Sequence, residues 1–460
     1  MVFLQRLSTV YSESSTVLDM KFVIENFGCQ MNDHDMERMR ALLIESGLTC
    51  VQDAQDADIV VVNTCCVREK AEQKFYSRMG RLKRVKRKKG IILGVTGCIA
   101  QLEKNAIFER LPFVDFALGP SSIDKINEAV EKAAKGSTFF DFTENGFASS
   151  LSVIPVDMHA SVREYVTIMK GCNNFCSYCV VPYVRGRELS RESGEIIEEI
   201  GRLAEKGTKE ITLLGQNVNS YNKNRDDISF PELLEKINGI EGIERIRFVT
   251  SHPKDLSPAL IDCFGSLDKL CEAIHLPFQS GSDKILMLMN RGYTKDGYRN
   301  KIAALRARCP DMAITADCIV GFPGEDERDF LDTMNLIEEI RFDNIFSFGY
   351  SPRKFTKAAT LPDAVPKELA MERLLHLQKT QKAITSAKNR DMEGKKVEVL
   401  VETTSKNSVE ELSGRTRTNK IVNFKGTKNL INNLVEVDII KGYANSLKGE
   451  NPNPKGGILC

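Results

Sequence analysis

Gly171-Cys172-Asn173-Asn174-Phe175-Cys176-Ser177-Tyr178-Cys179 places three thiols at C-x3-C-x2-C spacing, directly after a β-type run at 165–170. Iron–sulfur clusters are held by cysteine thiolates, and a cubane normally takes four. A loop that offers only three leaves one iron open to a small molecule. Open coordination marks a reactive centre, because purely structural sites are closed. Zinc competes for the same thiols. Its usual signature pairs two C-x-x-C or C/H elements, however, and no second pair lies nearby.

Upstream, residues 21–135 alternate strands (21–27, 59–63, 91–96, 115–118) with helices (31–46, 67–89, 100–110, 122–135). Strands separated by helical runs imply a parallel, doubly wound sheet. Cys29, Cys65 and Cys98 each stand just after one of these strands. Strand carboxyl ends share one edge of an open α/β sheet, where ligands bind, so three thiols distant in sequence are expected to converge there. The alternative is burial as small hydrophobes, since cysteine is among the most buried residue types. Cys66, next to Cys65, is the odd one out. The run RMGRLKRVKRKK at 78–89 is the most basic in the chain. It reads as a solvated helix face or as a contact for RNA phosphates.

Residues 136–159 lack a clear period and read as a linker. Strand–helix alternation then restarts, with strands at 165–170, 210–214, 245–249, 273–276, 314–320 and 344–350. Six βα units fall short of the eight in a closed barrel, and active-site residues should lie at the strands' carboxyl ends. Those ends carry Gly215-Gln216-Asn217, Thr250-Ser251-His252, Gln279-Ser280-Gly281-Ser282 and a turn opening at Gly321. These polar or glycine-rich turns suit a zwitterionic, ribose-bearing ligand. Arg185 and Arg187, just past the cysteine loop, are candidates for carboxylate or phosphate. His252 and His275 read as core or supporting residues as readily as ligands. A helix is expected over 365–389. Strands at 396–402, 414–424 and 434–440 then suggest a small all-β barrel, a common oligonucleotide-binding form. Its candidate RNA contacts are Arg415, Arg417 and Lys420, with a solvated hairpin as the alternative.

A chain of 460 residues predicts two or three domains. The formal net charge of +1 gives no overall bias towards nucleic acid, so any such binding rests on local patches. Thirteen scattered cysteines, an odd number, argue for metal or catalytic thiols in a reducing compartment rather than a disulfide framework. No apolar stretch is long enough to span a membrane, and residues 1–20 lack the basic start and apolar core of a secretory signal. The expected location is cytoplasmic, with no membrane partner.

The C-x3-C-x2-C loop, with an aromatic before its last cysteine, resembles the signature of radical S-adenosylmethionine (SAM) enzymes. That resemblance implies a partial (βα)6 TIM-type barrel and a 4Fe-4S cluster on Cys172, Cys176 and Cys179. The open iron would chelate SAM, which reduction splits into methionine and a 5′-deoxyadenosyl radical. Tyr178 would lie near the adenine, and Gln216, Asn217, Ser251, Gln279 and Gly321 are the further SAM contacts expected. Gly28-Cys-Gln-Met-Asn32, the segment NTCCVREKAE at 63–72, and Gly97-Cys-Ile-Ala-Gln101 resemble the amino-terminal domain of the methylthiotransferases. The residues after Cys29 and Cys66 are similar to the branch acting on isopentenyl-adenosine in tRNA. Sister branches act on threonylcarbamoyl-adenosine or on a ribosomal-protein aspartate.

The resemblance implies methylthiolation of carbon 2 of N(6)-isopentenyladenosine at position 37, with a second, auxiliary 4Fe-4S cluster on Cys29, Cys65 and Cys98 carrying the sulfur. Implied partners are tRNA, a reductant such as flavodoxin or ferredoxin, and a sulfur donor that rebuilds the cluster. An iron–sulfur RNA sensor without turnover is the reading from another class. The implied order is a polar extension (1–20), the doubly wound domain (21–135), the linker (136–159), the radical SAM domain (160–389), an RNA-binding TRAM domain of OB-like, all-β form (390–450) and a tail (451–460). Two departures stand out. Cys66 occupies a position the family fills with alanine or serine. The family's Arg-Pro-Gly-Thr-Pro-Ala loop here reads Arg353-Lys354-Phe355-Thr356-Lys357-Ala358, and loss of its glycine and prolines should change its shape.

Overall fold

Ile59–Thr64 and Ile92–Gly97 are buried at every position, as strands covered by helices on both faces must be. Alternate residues feed two separate cores. Val60, Val62, Leu93 and Val95 enter one; Ile59, Val61, Ile92 and Phe116 enter the other. The computed structural model describes residues 19–28, 30–66, 69–143, 161–223, 226–406, 408 and 410–452. In its amino-terminal domain β1 (Lys21–Phe27), β2 (Thr49–Cys50), β3 (Ile59–Thr64), β4 (Ile92–Gly97), β5 (Phe116–Leu118) and β6 (Phe139–Asp141) form one parallel sheet, ordered β2-β1-β3-β4-β5-β6.

Both edge strands escape a reading by periodicity because they are only two and three residues long. Phe139–Asp141 falls within the expected linker yet pairs with Phe116–Leu118; residues 144–160 lie outside the described residues. The helix expected over 100–110 is broken into Cys98–Glu103 and Ala106–Arg110, with Lys104 between them at φ 47°.

Six parallel strands follow in chain order: Arg163–Thr167, Glu210–Leu214, Arg245–Phe248, Ala273–His275, Ala313–Val320 and Asn344–Gly349. They form two three-stranded sheets, joined where Ile246 bridges to Leu270. One face of each strand packs against the helices, through Ile211, Leu213, Ile246, Ile274, Ile314, Ala316, Cys318 and Ile345. The other face is the barrel interior. Helix Lys367–Arg390 packs beside the sixth strand, with Gln381 Nε2 donating to the Phe342 carbonyl at 2.9 Å.

The chain ends in a closed five-stranded barrel, ordered Lys396–Thr404, Glu411–Thr416, Ile421–Lys425, Leu447–Glu450, Leu434–Gly442. Its alternating inward residues, among them Val399, Leu412, Phe424 and Val437, form a core of their own. The single strand expected over 414–424 is two, separated by a turn with Asn419 at φ 64°. Among the described residues no helix is long and apolar enough to cross a membrane. The chain divides into two compact units. One holds the amino-terminal domain with Lys170–Asn173 and Cys179–Glu188; the other holds the six-stranded barrel, Asn174–Tyr178 and the β-domain.

Candidate active site

Phe27, Thr64 and Gly97 are register partners on three adjacent strands. Cys65 and Cys98 are the residues that follow the last two, and each is only 3% exposed. Neighbouring strands lie about 4.8 Å apart, so these thiols leave the sheet side by side. Cys29 lies outside the described residues. Beneath this edge runs a fully buried polar layer. Asn32 Nδ2 donates to the Thr64 carbonyl at 3.0 Å, Asn63 Nδ2 to the Asn32 carbonyl at 2.8 Å, and Thr64 Oγ1 to the Thr96 carbonyl at 2.7 Å. Each side chain belongs to a segment that carries or borders a cysteine, so the layer clamps the loops together. Gly97 has φ 91°, and a Cβ there would lie 2.5 Å from both Asn63 Oδ1 and the Thr64 carbonyl oxygen. Cys66 and Cys98 both line the apolar core around Phe75 and Met79, whereas Cys65 is not part of it.

The second cysteine loop is held by its backbone. Gly171 has φ 77°, and a Cβ would meet the Arg187 carbonyl oxygen at 2.0 Å. The Cys172 amide donates to the Gly186 carbonyl at 3.2 Å. Asn173 and Glu188 each accept the other's amide, at 3.2 and 3.1 Å. Further on, the Ser177 amide donates to the Met289 carbonyl at 3.0 Å, and its carbonyl accepts from the Ala358 amide at 2.8 Å. The divergent loop at 353–358 thus reaches the cysteine loop. Phe355, where the family has glycine, holds φ 70°. A left-handed turn persists there without glycine, at a cost of roughly 1–2 kcal/mol. Arg185, a candidate anion contact, is instead buried in an ion pair with Asp35 at 2.7 Å. Burial, and then the charge of Arg185, push the nearby Lys170 ammonium down to about 8.

Cys176 is the most informative thiol. Its Sγ faces Arg291 Nη1 at 3.3 Å and His252 Nε2 at 3.9 Å. His252 Nδ1 accepts the Lys254 amide at 3.2 Å, which assigns the ring proton to Nε2, pointing at sulfur. Burial, and then the Arg291 charge, drive the imidazole down to about 2, so it is neutral. A sulfur met by two N–H donors is an environment for a thiolate or cluster ligand, because such hydrogen bonds tune bound sulfur. Arg291 escaped the sequence reading; it lies far along the chain, and nothing local marks it. Among the described residues no three Cys, His, Asp or Glu side chains are gathered around one point as ligands of a single ion would be. The described cysteines are thus brought to their loops by the backbone, not drawn into a finished ligand set.

At the barrel mouth the expected SAM contacts separate into two kinds. Asn217 Oδ1, Ser251 Oγ and Gln279 Oε1 are buried without a hydrogen-bond partner among the described residues. Each such atom costs about 1–3 kcal/mol, and all three follow strand carboxyl ends, where a ligand would satisfy them. Thr250 and Gln279 both hold φ 66°, non-glycine strain of the sort that gathers at functional sites. The others have packing roles in the fold. Gly321 has φ 71°, and a Cβ would meet Ala370 Cβ at 2.5 Å, so its lack of a side chain serves helix packing. Tyr178 packs against the cluster formed by Ile285, Met289, Phe322 and Ala358, with its hydroxyl 3.3 Å from Arg291 Nη1. Gln216 is half-buried. His275 lies inside the barrel, its Nε2 3.5 Å from Asp317 Oδ2.

Arg415, Arg417 and Lys420, the expected RNA contacts, are each ion-paired in this structure. Arg417 forks onto Glu272 at 2.6 and 2.8 Å. Arg415 pairs with Glu402 at 3.2 Å, and Lys420 with Asp343 at 3.2 Å. They belong to a seam between the β-domain and the amino ends of the barrel strands. There the fully buried Arg245 donates to the Arg415 carbonyl at 2.7 Å and to Glu398 at 2.7 Å. Fully buried Glu210 forms ion pairs with Arg163 at 2.8 Å and Arg247 at 2.9 Å.

Helix Glu69–Lys89 behaves differently. It carries ten Lys or Arg against two Glu. Arg78 pairs with Glu25 and Lys86 with Asp115. Lys74, Arg81, Arg84 and Lys88 are exposed and make no ion pair among the described residues. Their spacing puts them on one face, opposite buried Phe75, Met79 and Leu82.

Family models match the chain in three places: Uncharacterized protein family UPF0004 at 21–119, the Radical SAM superfamily at 166–337 and the TRAM domain at 390–451. A tRNA-2-methylthio-N(6)-dimethylallyladenosine synthase from Syntrophus aciditrophicus is 50% identical over 451 residues, spanning 97% of this chain and 98% of that protein. The enzyme of the same name from Geobacter metallireducens is 50% identical over 431 residues, 93% of this chain and 97% of that protein. Among solved structures, the radical SAM methyltransferase TsrM from Kitasatospora setae superposes with a TM-score of 0.55 at 14% identity, covering 74% of this chain and 75% of that one. That likeness is one of fold.

Proposed function

The chain belongs to the tRNA-2-methylthio-N(6)-dimethylallyladenosine synthase family, and from that premise we propose that it adds a methylthio group to carbon 2 of N(6)-isopentenyladenosine at position 37 of tRNA. Its cofactors are SAM and 4Fe-4S clusters. When bound, these supply the radical chemistry and the sulfur that an unactivated aromatic C–H bond requires, which side-chain acids and bases do not.

The residues divide the work. Cys172, Cys176 and Cys179 hold the SAM-binding cluster, with Arg291 and His252 donating to the Cys176 sulfur. Asn217, Ser251 and Gln279 turn their unpartnered polar atoms towards SAM, and Tyr178 flanks it. Cys29, Cys65 and Cys98 hold the auxiliary cluster, and the buried Asn32–Asn63–Thr64 layer supports the loops of Cys65 and Cys98. The cations Lys74, Arg81, Arg84 and Lys88 meet tRNA phosphates. A flavodoxin- or ferredoxin-type reductant and a sulfur donor complete the partners. One observation carries most weight: the register of Phe27, Thr64 and Gly97. A sheet that ends three neighbouring strands level, each followed by a cysteine, is a frame that SAM cleavage alone would not need.

The test is anaerobic incubation of reconstituted protein with SAM, a reductant and tRNA bearing isopentenyl-adenosine, followed by mass spectrometry of the digested nucleosides. A methylthio nucleoside is expected. It should vanish when Cys29, Cys65 and Cys98 are all changed to alanine. Formation of 5′-deoxyadenosine without that nucleoside would overturn the substrate while leaving SAM cleavage in place.

A further inference from the structure

We propose that Phe346 and Phe348 form the subsite that accepts the isopentenyl group of the target adenosine. The proposal rests on the function above and deepens it. Both residues lie on the sixth barrel strand, and their register partners are Asp317 and Ile319. Ile345, which precedes them on the opposite face of the strand, packs into the helix-covered core with Ile314, Ala316 and Cys318. Phe346 and Phe348 therefore face the barrel interior. They are nonetheless 46% and 37% exposed. A lone exposed apolar residue needs no explanation, but two rings on one interior face, beside half-buried Ile319, make a patch of the sort that marks a binding surface.

What surrounds the patch defines its occupant. Towards the amino ends of the strands the interior is closed by ions: Arg245, Arg247 and Glu210 are buried in the seam with the β-domain. Towards the carboxyl ends, the chain leaving this strand reaches Ala358, whose amide is bonded to Ser177 in the cysteine loop. Phe348 thus lies below the level of the loop that binds the reactive cluster and above a charged floor. Laterally the patch stops at His275, whose ring meets Phe346 edge-on at 6.0 Å, and at the Asp317 carboxylate. An apolar area this short, bounded by an anion, suits a five-carbon hydrocarbon chain. It disfavours the acidic threonylcarbamoyl group, which would bring a second carboxylate beside Asp317.

The experiment measures binding of two anticodon stem-loop RNAs, one with isopentenyl-adenosine and one with plain adenosine, to the cluster-loaded full chain. Wild type, Phe346→Ala, Phe348→Ala and Phe348→Leu are compared by fluorescence anisotropy. Removal of one large apolar contact should lower the preference for the prenylated RNA by about tenfold, with affinity for the plain RNA unchanged. Phe348→Leu should keep most of the preference. An unchanged preference in both alanine variants, or an equal loss for both RNAs, overturns the proposal. Because the rings are exposed, thermal midpoints should not move, and Phe348→Leu guards against a variant that fails to fold. Methylthio product from wild type together with an unchanged preference would sink the subsite alone. No product from wild type on the prenylated RNA would sink the functional reading beneath it.

Discussion

The β-domain hairpin and helix Glu69–Lys89 carry the same side chains to opposite circumstances. In the hairpin, Arg415, Arg417 and Lys420 are each matched to a carboxylate on another element. On the helix, Lys74, Arg81, Arg84 and Lys88 face solvent with none among the described residues. The difference is one of supply. Two carboxylates within 21 residues cannot neutralise ten cations, and like charges three and four apart repel by about 0.2–0.5 kcal/mol per pair. The helix dipole favours cations only in the last turn, which accounts for Lys86–Lys89 but not for Arg81 or Arg84. In the hairpin the matching acids come from distant segments, such as Glu272 for Arg417, so the pairing has no local trace. Cations in a dense run remain available to a polyanion; isolated ones on a strand are claimed by the fold.

The largest expected effect lies in the seam. Glu210→Ala takes from buried Arg247 the carboxylate it pairs with and leaves Arg163 with Glu402 alone, and breaking such a buried pair costs about 3–5 kcal/mol. Urea denaturation should show a lower midpoint with an unchanged slope. A loss below 1 kcal/mol would mean that the seam is wet, and that its cations are not committed. Next comes the helix. Replacing Arg81, Arg84 and Lys88 together by glutamate should weaken tRNA binding by roughly ten- to a hundredfold and flatten the salt dependence of log K by about two to three. The thermal midpoint should stay put, since these side chains are exposed and make no ion pair among the described residues. An unchanged salt slope would place the RNA elsewhere and break the comparison. Arg417→Ala is its mirror image. Losing the forked pair with partly exposed Glu272 should cost about 1 kcal/mol of stability and leave the salt slope as it was.

The same contrast explains what the sequence could reveal. The six βα units and the doubly wound sheet were legible because period and order are local properties. So was the placement of cysteines after strands. The edge strands Thr49–Cys50 and Phe139–Asp141 were not, being too short to carry a period. Asn217, Ser251 and Gln279 could be singled out from their place after strands, and an atom of each has no hydrogen-bond partner among the described residues. Gly321 could be named too, but not the helix contact that keeps it free of a side chain, with Ala370 Cβ 2.5 Å from where a Cβ would stand. Arg291 could not be named at all, since only folding brings it from the far side of the barrel to Cys176. At Phe355 the sequence shows the loss of the family glycine but not the bonds that hold the loop: Phe355 takes φ 70°, the Thr356 hydroxyl donates to the Arg353 carbonyl at 2.8 Å, and the Ala358 amide donates to the Ser177 carbonyl.

The smallest effect is the sharpest check on the seam. Lys420 sits among Asp343 and Asn389, at 3.2 and 2.9 Å. Asp343 does not depend on it, because Lys388 Nζ lies 2.6 Å from Oδ2 and the Ile314 amide donates to the same oxygen at 3.0 Å. Removing Lys420 therefore leaves no isolated buried charge, in contrast to Glu210→Ala. Lys420→Ala should cost under about 1 kcal/mol, the range of a redundant, partly exposed pair, and should leave tRNA affinity within about twofold. A loss of tRNA affinity with a reduced salt slope would show that Lys420 leaves Asp343 for phosphate when RNA arrives, and that the hairpin's charge is held in reserve rather than committed.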